Sequence, residues 1–332
     1  MTRIAVLGAG SWGTTLADLL ARKGHDVRIW AHEADVAESI NRAHENPVFL
    51  PGAALAPALT ATGDAAEAVR GVALVVSAPP SHVAAGVFEA VAGAMPAEVP
   101  LVSATKGIET GELRLMSELA GRILPGRPFV ALSGPSFAQE VFEGQPTAVV
   151  AAAGDPDVAR MVQAVFSTPR FRVYSNRDVV GVELAGALKN VVAVAAGMLE
   201  GLGLGHNPRA ALITRGLAEI TRLGQAMGAD PLTFAGLAGM GDLILTATGN
   251  LSRNRALGIA IARGETLDGF RAAHRSVAEG ANTSRAAAAL AERVGVEMPI
   301  TANVCAILFN GKPPRESVGE LMERDLKAEQ WR

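Results

Sequence analysis

The sequence predicts an α/β fold, an N-terminal doubly wound sheet followed by an all-helical C-terminal domain, with residues 1–178 in the first unit and 179–332 in the second. Three observations lead there. Short apolar runs alternate with Ala/Leu/Glu-rich stretches of helical length through the first half; strand signals largely vanish after about residue 178; and the first strand runs straight into a glycine-rich turn. Continuous apolar strands separated by helices read as a parallel sheet covered on both faces, with ligands bound beyond the carboxyl ends of the strands.

Residues 4–7 form the first strand and residues 14–22 the first helix, with Gly8-Ala9-Gly10-Ser11-Trp12-Gly13 between them. Gly8 permits the tight turn, Gly10 lets backbone approach a pyrophosphate, and Gly13 lets helix and strand pack closely; the free N–H groups of the helix start then face phosphates. This is the Rossmann-like, dinucleotide-binding arrangement. Further strands are expected at 27–30, 74–77, 101–103, 129–132, 147–152 and 171–174, and helices between them at 34–41, 64–70, 83–94 and 155–166. The second half reads as helices at 180–199, 208–227, 231–238, 241–248, 253–263, 283–294, 300–310 and 314–322.

Composition narrows the class. Apolar residues make up 49% and charged residues 19%, which is globular, and a net charge of −3 argues against a nucleic-acid partner. The single cysteine, Cys305, excludes an internal disulfide framework and fits a reducing compartment; its apolar surroundings predict buried packing. The first apolar run is too short for a secretory signal, so the expected location is the cytoplasm. Residues 184–199 are apolar but interrupted by Lys189 and Asn190, which favours a buried helix over a membrane span. The six histidines have no ligand spacing, so no metal site is expected, and the Ala/Gly-rich second half is compatible with a homodimer.

Candidate chemistry lies where strands end and helices begin. A site preferring NAD usually carries an acid at the end of its second strand. Here Trp30-Ala31-His32-Glu33 stands there, and His32 can face an adenosine 2′-phosphate, so NADP or NAD remain open. Lys106 follows the 101–103 strand and either holds an anionic ligand or is a solvated turn lysine. After the 129–132 strand, Gly134 permits close backbone approach, and Ser136 either caps the next helix or binds a substrate oxygen. Lys189 is the one ionisable side chain between Glu183 and Glu200; it either snorkels out or is held desolvated for proton transfer. Asp242 either caps a helix or pairs with Lys189. Ser252-Arg253-Asn254 opens a helix with a guanidinium and free N–H groups, a pocket for phosphate or carboxylate. Val277 and Glu279, before the last helices, either reach a cofactor or lie on an exposed loop.

Together these segments resemble bacterial-type NAD(P)-dependent glycerol-3-phosphate dehydrogenase over essentially the full chain. The resemblance rests on Gly8 to Gly13, Ser103-Ala104-Thr105-Lys106-Gly107, Gly134-Pro135-Ser136-Phe137-Ala138, Glu183 to Asn190, Gly239-Met240-Gly241-Asp242, Ser252-Arg253-Asn254 and Val277-Ala278-Glu279-Gly280, in that order. It implies that Ser11, Trp12, His32, Ala138, Arg253, Val277 and Glu279 contact the cofactor and that Lys106 touches cofactor and substrate. It further implies that Gly134, Ser136, Ser252, Arg253 and Asn254 bind glycerol 3-phosphate, with Lys189 the proton acceptor and Asp242 beside it. The reaction implied is reversible reduction of dihydroxyacetone phosphate. Two rivals stay open: a related dehydrogenase of another hydroxy or keto acid, and a non-catalytic dinucleotide sensor.

Overall fold

The computed structural model describes residues 1–275, 277–326 and 328–329; Ser276 in the predicted cofactor loop, and residues 327 and 330–332 of the predicted second unit, lie outside the described residues. Among the described residues ten strands form in chain order: β1 (Arg3–Leu7), β2 (Asp26–Trp30), β3 (Glu45–Asn46), β4 (Leu50–Ala54), β5 (Thr60–Thr62), β6 (Leu74–Ser77), β7 (Leu101–Ser103), β8 (Phe129–Ser133), β9 (Thr147–Ala152) and β10 (Phe171–Asn176). Eight make one sheet in the order β10-β9-β8-β7-β6-β1-β2-β5, while β3 and β4 pair as a separate hairpin. The order reverses beside β1, and such a switch point opens a crevice at the carboxyl ends of the strands. Val, Ile and Leu dominate β1, β6 and β7, whose residues are almost all buried, as expected of strands covered on both faces.

The sheet corrects one expectation. It is not wholly parallel: β9 pairs antiparallel with β8, and β10 follows β9. The cause is the connection. Only the short Ala138–Phe142 helix separates β8 from β9, and the chain re-enters the sheet from the edge it has just left. A continuous apolar strand looks the same in either direction, and only the crossover decides.

After β10 every described element is helical. Asp178 opens the Val179–Gly201 helix by accepting the Gly181 N–H (2.8 Å). This helix, with mean hydropathy 1.7, is long and apolar enough to cross a bilayer, but Gly181 to Leu199 are all buried by neighbouring helices. A helix apolar all round is a core helix, and this one carries the second hydrophobic core. The Arg253–Ala262 helix packs closest on it: a Cβ on Gly258 would stand 2.0 Å from the Val194 carbonyl oxygen, so only glycine admits the crossing.

Buried carboxylates tie the helices together. The helices Met116–Ile123 and Pro299–Asn310 begin after Leu115 and Met298, which cannot cap through their side chains. Glu183 accepts from Ser117 N (2.9 Å) and Ser117 Oγ (2.5 Å), and Glu219 accepts from Ile300 N (2.7 Å) and Thr301 N (3.3 Å). Burial pushes both carboxyls up to about 7, against the opposing pull of these donors. A carboxyl pKa raised on folding contributes stability below its ordinary 4.5, which is lost as pH rises to about 7. Glu183→Gln keeps both bonds, its amide oxygen facing Ser117 N and its NH₂ facing Ser117 Oγ, and does not titrate. Denaturant melts should therefore find it equal to wild type near pH 4.5 and more stable near pH 8 by on the order of 2 kcal/mol; an advantage that is the same at both pH values contradicts this.

Cys305 was expected to be buried and is half-buried instead, on the Pro299–Asn310 helix, where desolvation raises its thiol pKa. Its apolar neighbours in sequence occupy other faces of the helix, so the apolar run did not place every member inside.

Candidate active site

Gly8 adopts φ +106° and donates its N–H to the Trp30 carbonyl at the end of β2 (3.0 Å), so the turn is fixed to the sheet. The Ser11–Arg22 helix starts earlier than residue 14, making Ser11 and Trp12 its first two residues, whose N–H groups have no partner inside the helix. A Cβ on Gly13 would stand 1.9 Å from the Gly8 carbonyl oxygen, which is the close packing its position requires. Gly10 differs: a Cβ there would meet no atom of the chain within 4 Å. Bare backbone and free N–H groups thus face open space, which fits a dinucleotide pyrophosphate. Asn46 on β3 secures the turn by donating to Ala9 O and Thr14 Oγ1 (2.8 Å each), and it accepts the Phe49 N–H (3.1 Å).

A cleft of about 1070 Å³ runs between the sheet and the helical half. From the sheet side it is lined by Gly8, Gly10, Ser11, Trp12, His32, Lys106, Ser136 and Ala138, and from the helical side by Lys189, Ser252, Arg253, Asn254, Val277 and Glu279. Gly13 and Gly134 lie behind this lining, the latter through its carbonyl, which accepts from Lys106 Nζ (3.1 Å) and Ser136 Oγ (2.9 Å). Ser136 therefore does not cap the following helix: Phe137 holds that position, and the serine hydroxyl turns back onto Gly134. At the far end Ala31 fills the place of the NAD-type acid and is buried, while His32 is exposed and packs edge-on to Trp30 (6.2 Å).

Asp242 is the centre of the polar cluster. It is 1% exposed and begins the Asp242–Thr248 helix behind the π turn Leu237–Gly241, so it does not cap that helix as one reading had it. Its Oδ1 accepts from Lys189 Nζ, and its Oδ2 accepts from Lys106 Nζ at 2.8 Å. Lys189 does not snorkel; it is buried on the Val179–Gly201 helix and also donates to Thr246 Oγ1 (2.8 Å). Desolvation, and then the nearby Lys106 charge, bring the Lys189 ammonium down to about 7, with Asp242 opposing. Burial pushes the Asp242 carboxyl up, but the two ammonium groups outweigh it and hold the carboxyl below its usual range. A buried carboxylate flanked by two ammoniums stays charged, and an amine near neutrality can give and take a proton.

The Arg253–Ala262 helix opens toward this cluster. Ser252 caps it by accepting Arg255 N–H (3.2 Å), and Arg253 reaches across the cleft to donate to Ser11 Oγ (3.1 Å). Asn254 donates to Asn190 Oδ1 (2.9 Å) and accepts the Gly280 N–H (2.8 Å), while Asn190 donates to the Lys106 carbonyl (3.3 Å). These amides join the starts of two helices to the turn that carries Lys106. Dipole, free N–H groups and guanidinium can together hold an anion beside the buried amine. Glu279 does not lie on an exposed loop: it is the first residue of the Glu279–Val294 helix and accepts hydrogen bonds from Ser81.

Besides Asn46, four contributors were missed by sequence reasoning. Phe49 and Pro51 line the cleft from the β3–β4 hairpin, Thr246 holds Lys189, and Ser81 holds Glu279. The first two had only a Pro-containing segment as a signal, which reads as a loop. Thr246 lies one helical turn after Asp242, the spacing that places both on one face.

The fold and cleft together define a dinucleotide-dependent oxidoreductase with a buried lysine at its centre. The family profile described as NAD-dependent glycerol-3-phosphate dehydrogenase N-terminus matches residues 3–159, and that described as NAD-dependent glycerol-3-phosphate dehydrogenase C-terminus matches residues 178–319. A glycerol-3-phosphate dehydrogenase [NAD(P)+] of Geobacter sulfurreducens is 58% identical over 99% of both chains, and one of Koribacter versatilis is 51% identical over 100% of both. The crystal structure of glycerol-3-phosphate dehydrogenase from Coxiella burnetii superimposes with a TM-score of 0.94 at 40% identity, covering 97% of this chain and 99% of that one. The chain belongs to the NAD-dependent glycerol-3-phosphate dehydrogenase family.

Proposed function

We propose that this chain reversibly reduces dihydroxyacetone phosphate to sn-glycerol 3-phosphate with NADPH or NADH. The observation that supports this reading most is the buried Lys189–Asp242–Lys106 cluster, set between a glycine-rich turn and the anion-accepting start of the Arg253–Ala262 helix.

A nicotinamide cofactor bound in the cleft would supply the hydride in reduction and accept it in oxidation. Ser11 and Trp12 N–H groups would hold the pyrophosphate, with His32 toward the adenosine ribose and Ala138, Val277 and Glu279 along the remaining walls. Ser252, Arg253 and Asn254 would grip the substrate phosphate, and Lys106, Gly134 and Ser136 would orient the carbon chain. In reduction the Lys189 ammonium donates a proton to the C2 oxygen as it becomes a hydroxyl, and the neutral amine is then reprotonated from solvent. In oxidation the neutral amine takes that proton. Asp242 keeps Lys189 in place and stabilises its charged form, and Thr246 fixes the direction of the amine. Anchoring the phosphate away from C2 uses remote binding energy to align the reacting carbon.

We further propose residues 1–178 as the dinucleotide-binding domain and 179–332 as the helical substrate-binding domain, each lending residues to the other's ligand, a division supported by the change from strand to helix between Asn176 and Val179. A cytoplasmic location and glycerophospholipid precursor supply suit such an enzyme, and a homodimer is the assembly we propose for it. The test is loss of reduced-nicotinamide absorbance on adding dihydroxyacetone phosphate, with dihydroxyacetone in parallel. The phosphate-free ketone should show kcat/KM lower by about 10³-fold or more. Equal rates, or turnover only of another keto acid, would overturn the substrate assignment; cofactor binding without any turnover would favour a sensor.

A further inference from the structure

We propose that Glu200 and Arg255 form a brace behind the first turn of the Arg253–Ala262 helix, an ion pair that positions Ser252, Arg253 and Asn254 for the substrate phosphate without touching the substrate itself. This rests on the proposed reading of that helix start as the phosphate site.

Helix periodicity separates the two arginines. Arg253 and Arg255 are two residues apart, about 200° around a helix, so when one faces the cleft the other faces away. Arg253 donates to Ser11 Oγ across the cleft (3.1 Å), whereas Arg255 turns back to Glu200 on the Val179–Gly201 helix. That contact is two-pronged, Nε to Oε2 at 2.9 Å and Nη2 to Oε1 at 2.7 Å, and Arg209 adds Nη2 to Oε2 at 3.4 Å. Neither Glu200 nor Arg255 stands among the described residues that line the cleft.

Each charge sits at the end of its helix where the dipole opposes it. Glu200 is the next-to-last residue of its helix, beside the carbonyl ends that repel a carboxylate. Arg255 is the third residue of its own, beside the N–H ends that repel a cation. Helix stability explains neither placement, but the pair explains both. The two helices also meet by backbone: a Cβ on Gly197 would stand 2.0 Å from the Arg255 carbonyl oxygen. A contact without side chains sets how near the helices come but interlocks little. The planar fork of Arg255, whose side chain is only 12% exposed, supplies the missing constraint on how the first turn is rolled. The same residue carries the cap, its N–H donating to Ser252 Oγ (3.2 Å). A roll of this turn therefore shifts Ser252, Arg253 and Asn254 together, and a misplacement of about 1 Å in a positioning group can cost about 10²-fold in rate.

The test compares full-length wild type, Glu200→Ala, Glu200→Gln, Arg255→Ala, Arg255→Lys and the double alanine variant. Each is assayed with NADPH on dihydroxyacetone phosphate and on dihydroxyacetone, and its Tm is recorded. Either alanine variant should lower kcat/KM for the phosphorylated ketone about 5–30-fold, mainly through KM, and leave that for the phosphate-free ketone within about 3-fold of wild type. The double variant should be no worse than the poorer single one, because both remove the same constraint. Arg255→Lys keeps the charge without the fork and should resemble Arg255→Ala. Glu200→Gln keeps the shape and one acceptor and should fall between Glu200→Ala and wild type; it carries the comparison should Glu200→Ala not fold. Equal losses on the two ketones, or single effects that multiply in the double variant, would overturn the brace and leave an ordinary stabilising pair. A ratio between the ketones that falls in Arg253→Ala but not in the Glu200 and Arg255 variants would overturn the brace alone. A ratio unmoved in Arg253→Ala as well would overturn the phosphate site, and the brace with it.

Discussion

Lys189→Ala should lower kcat for reduction of dihydroxyacetone phosphate by about 10²–10⁴-fold, the range expected when a positioned general acid is removed. The geometry makes the loss specific. Lys189 is 6% exposed, so water does not readily replace its ammonium at the C2 oxygen. Asp242 keeps its second partner, Lys106 at 2.8 Å, so the buried carboxylate is not left unpaired and the fold should survive. The Ser11 and Trp12 turn is untouched, and the NADPH dissociation constant should stay within about 3-fold of wild type. Stopped-flow turnover together with cofactor titration checks both halves of this expectation, and near-wild-type turnover would remove Lys189 from proton transfer.

Arg253→Ala should lower kcat/KM for the phosphorylated ketone by about 10²-fold, mainly through KM, because a charge-assisted bidentate bond to phosphate is lost. Desolvation lowers the Arg253 pKa from its ordinary value, though guanidinium remains the charged species. Lysine should not restore the loss, since it lacks the planar fork. The diagnostic readout is discrimination: the ratio of kcat/KM for dihydroxyacetone phosphate to that for dihydroxyacetone should fall with the variant. An unchanged ratio means that the phosphate sits elsewhere. The bond to Ser11 Oγ is lost as well, so a smaller rise in cofactor KM accompanies the main effect.

Most of the architecture was legible because it follows local rules. The glycine turn, the strand positions and the long apolar helix each announce themselves within a few residues, and the structure places them within a residue or two of expectation. What was hidden depends on contacts between distant parts. The direction of β9 lies in the connection after β8, not in its apolar residues. The edge strand β5 and the β3–β4 hairpin are too short, or too rich in Pro and Gly, to signal a strand, yet the hairpin brings Asn46 and Phe49 to the cofactor turn. Asp242 looked as much like a helix cap as a partner for Lys189, and only the approach of Lys106 on its other oxygen settles its role as a shared counter-ion. Ser81 and Glu279 are 198 residues apart, and neither carries a local sign of the other.

The central claim is that a buried amine near neutrality delivers the proton, and the pH dependence of the forward reaction tests it most directly. Reduction needs the ammonium form, which is lost as pH rises through the Lys189 value of about 7. With NADPH and dihydroxyacetone phosphate, wild-type kcat/KM should therefore fall about tenfold per pH unit well above that value, and the residual rate of Lys189→Ala should lack this limb. A wild-type profile flat from about pH 6 to about pH 9, or a limb that persists without Lys189, would contradict the account.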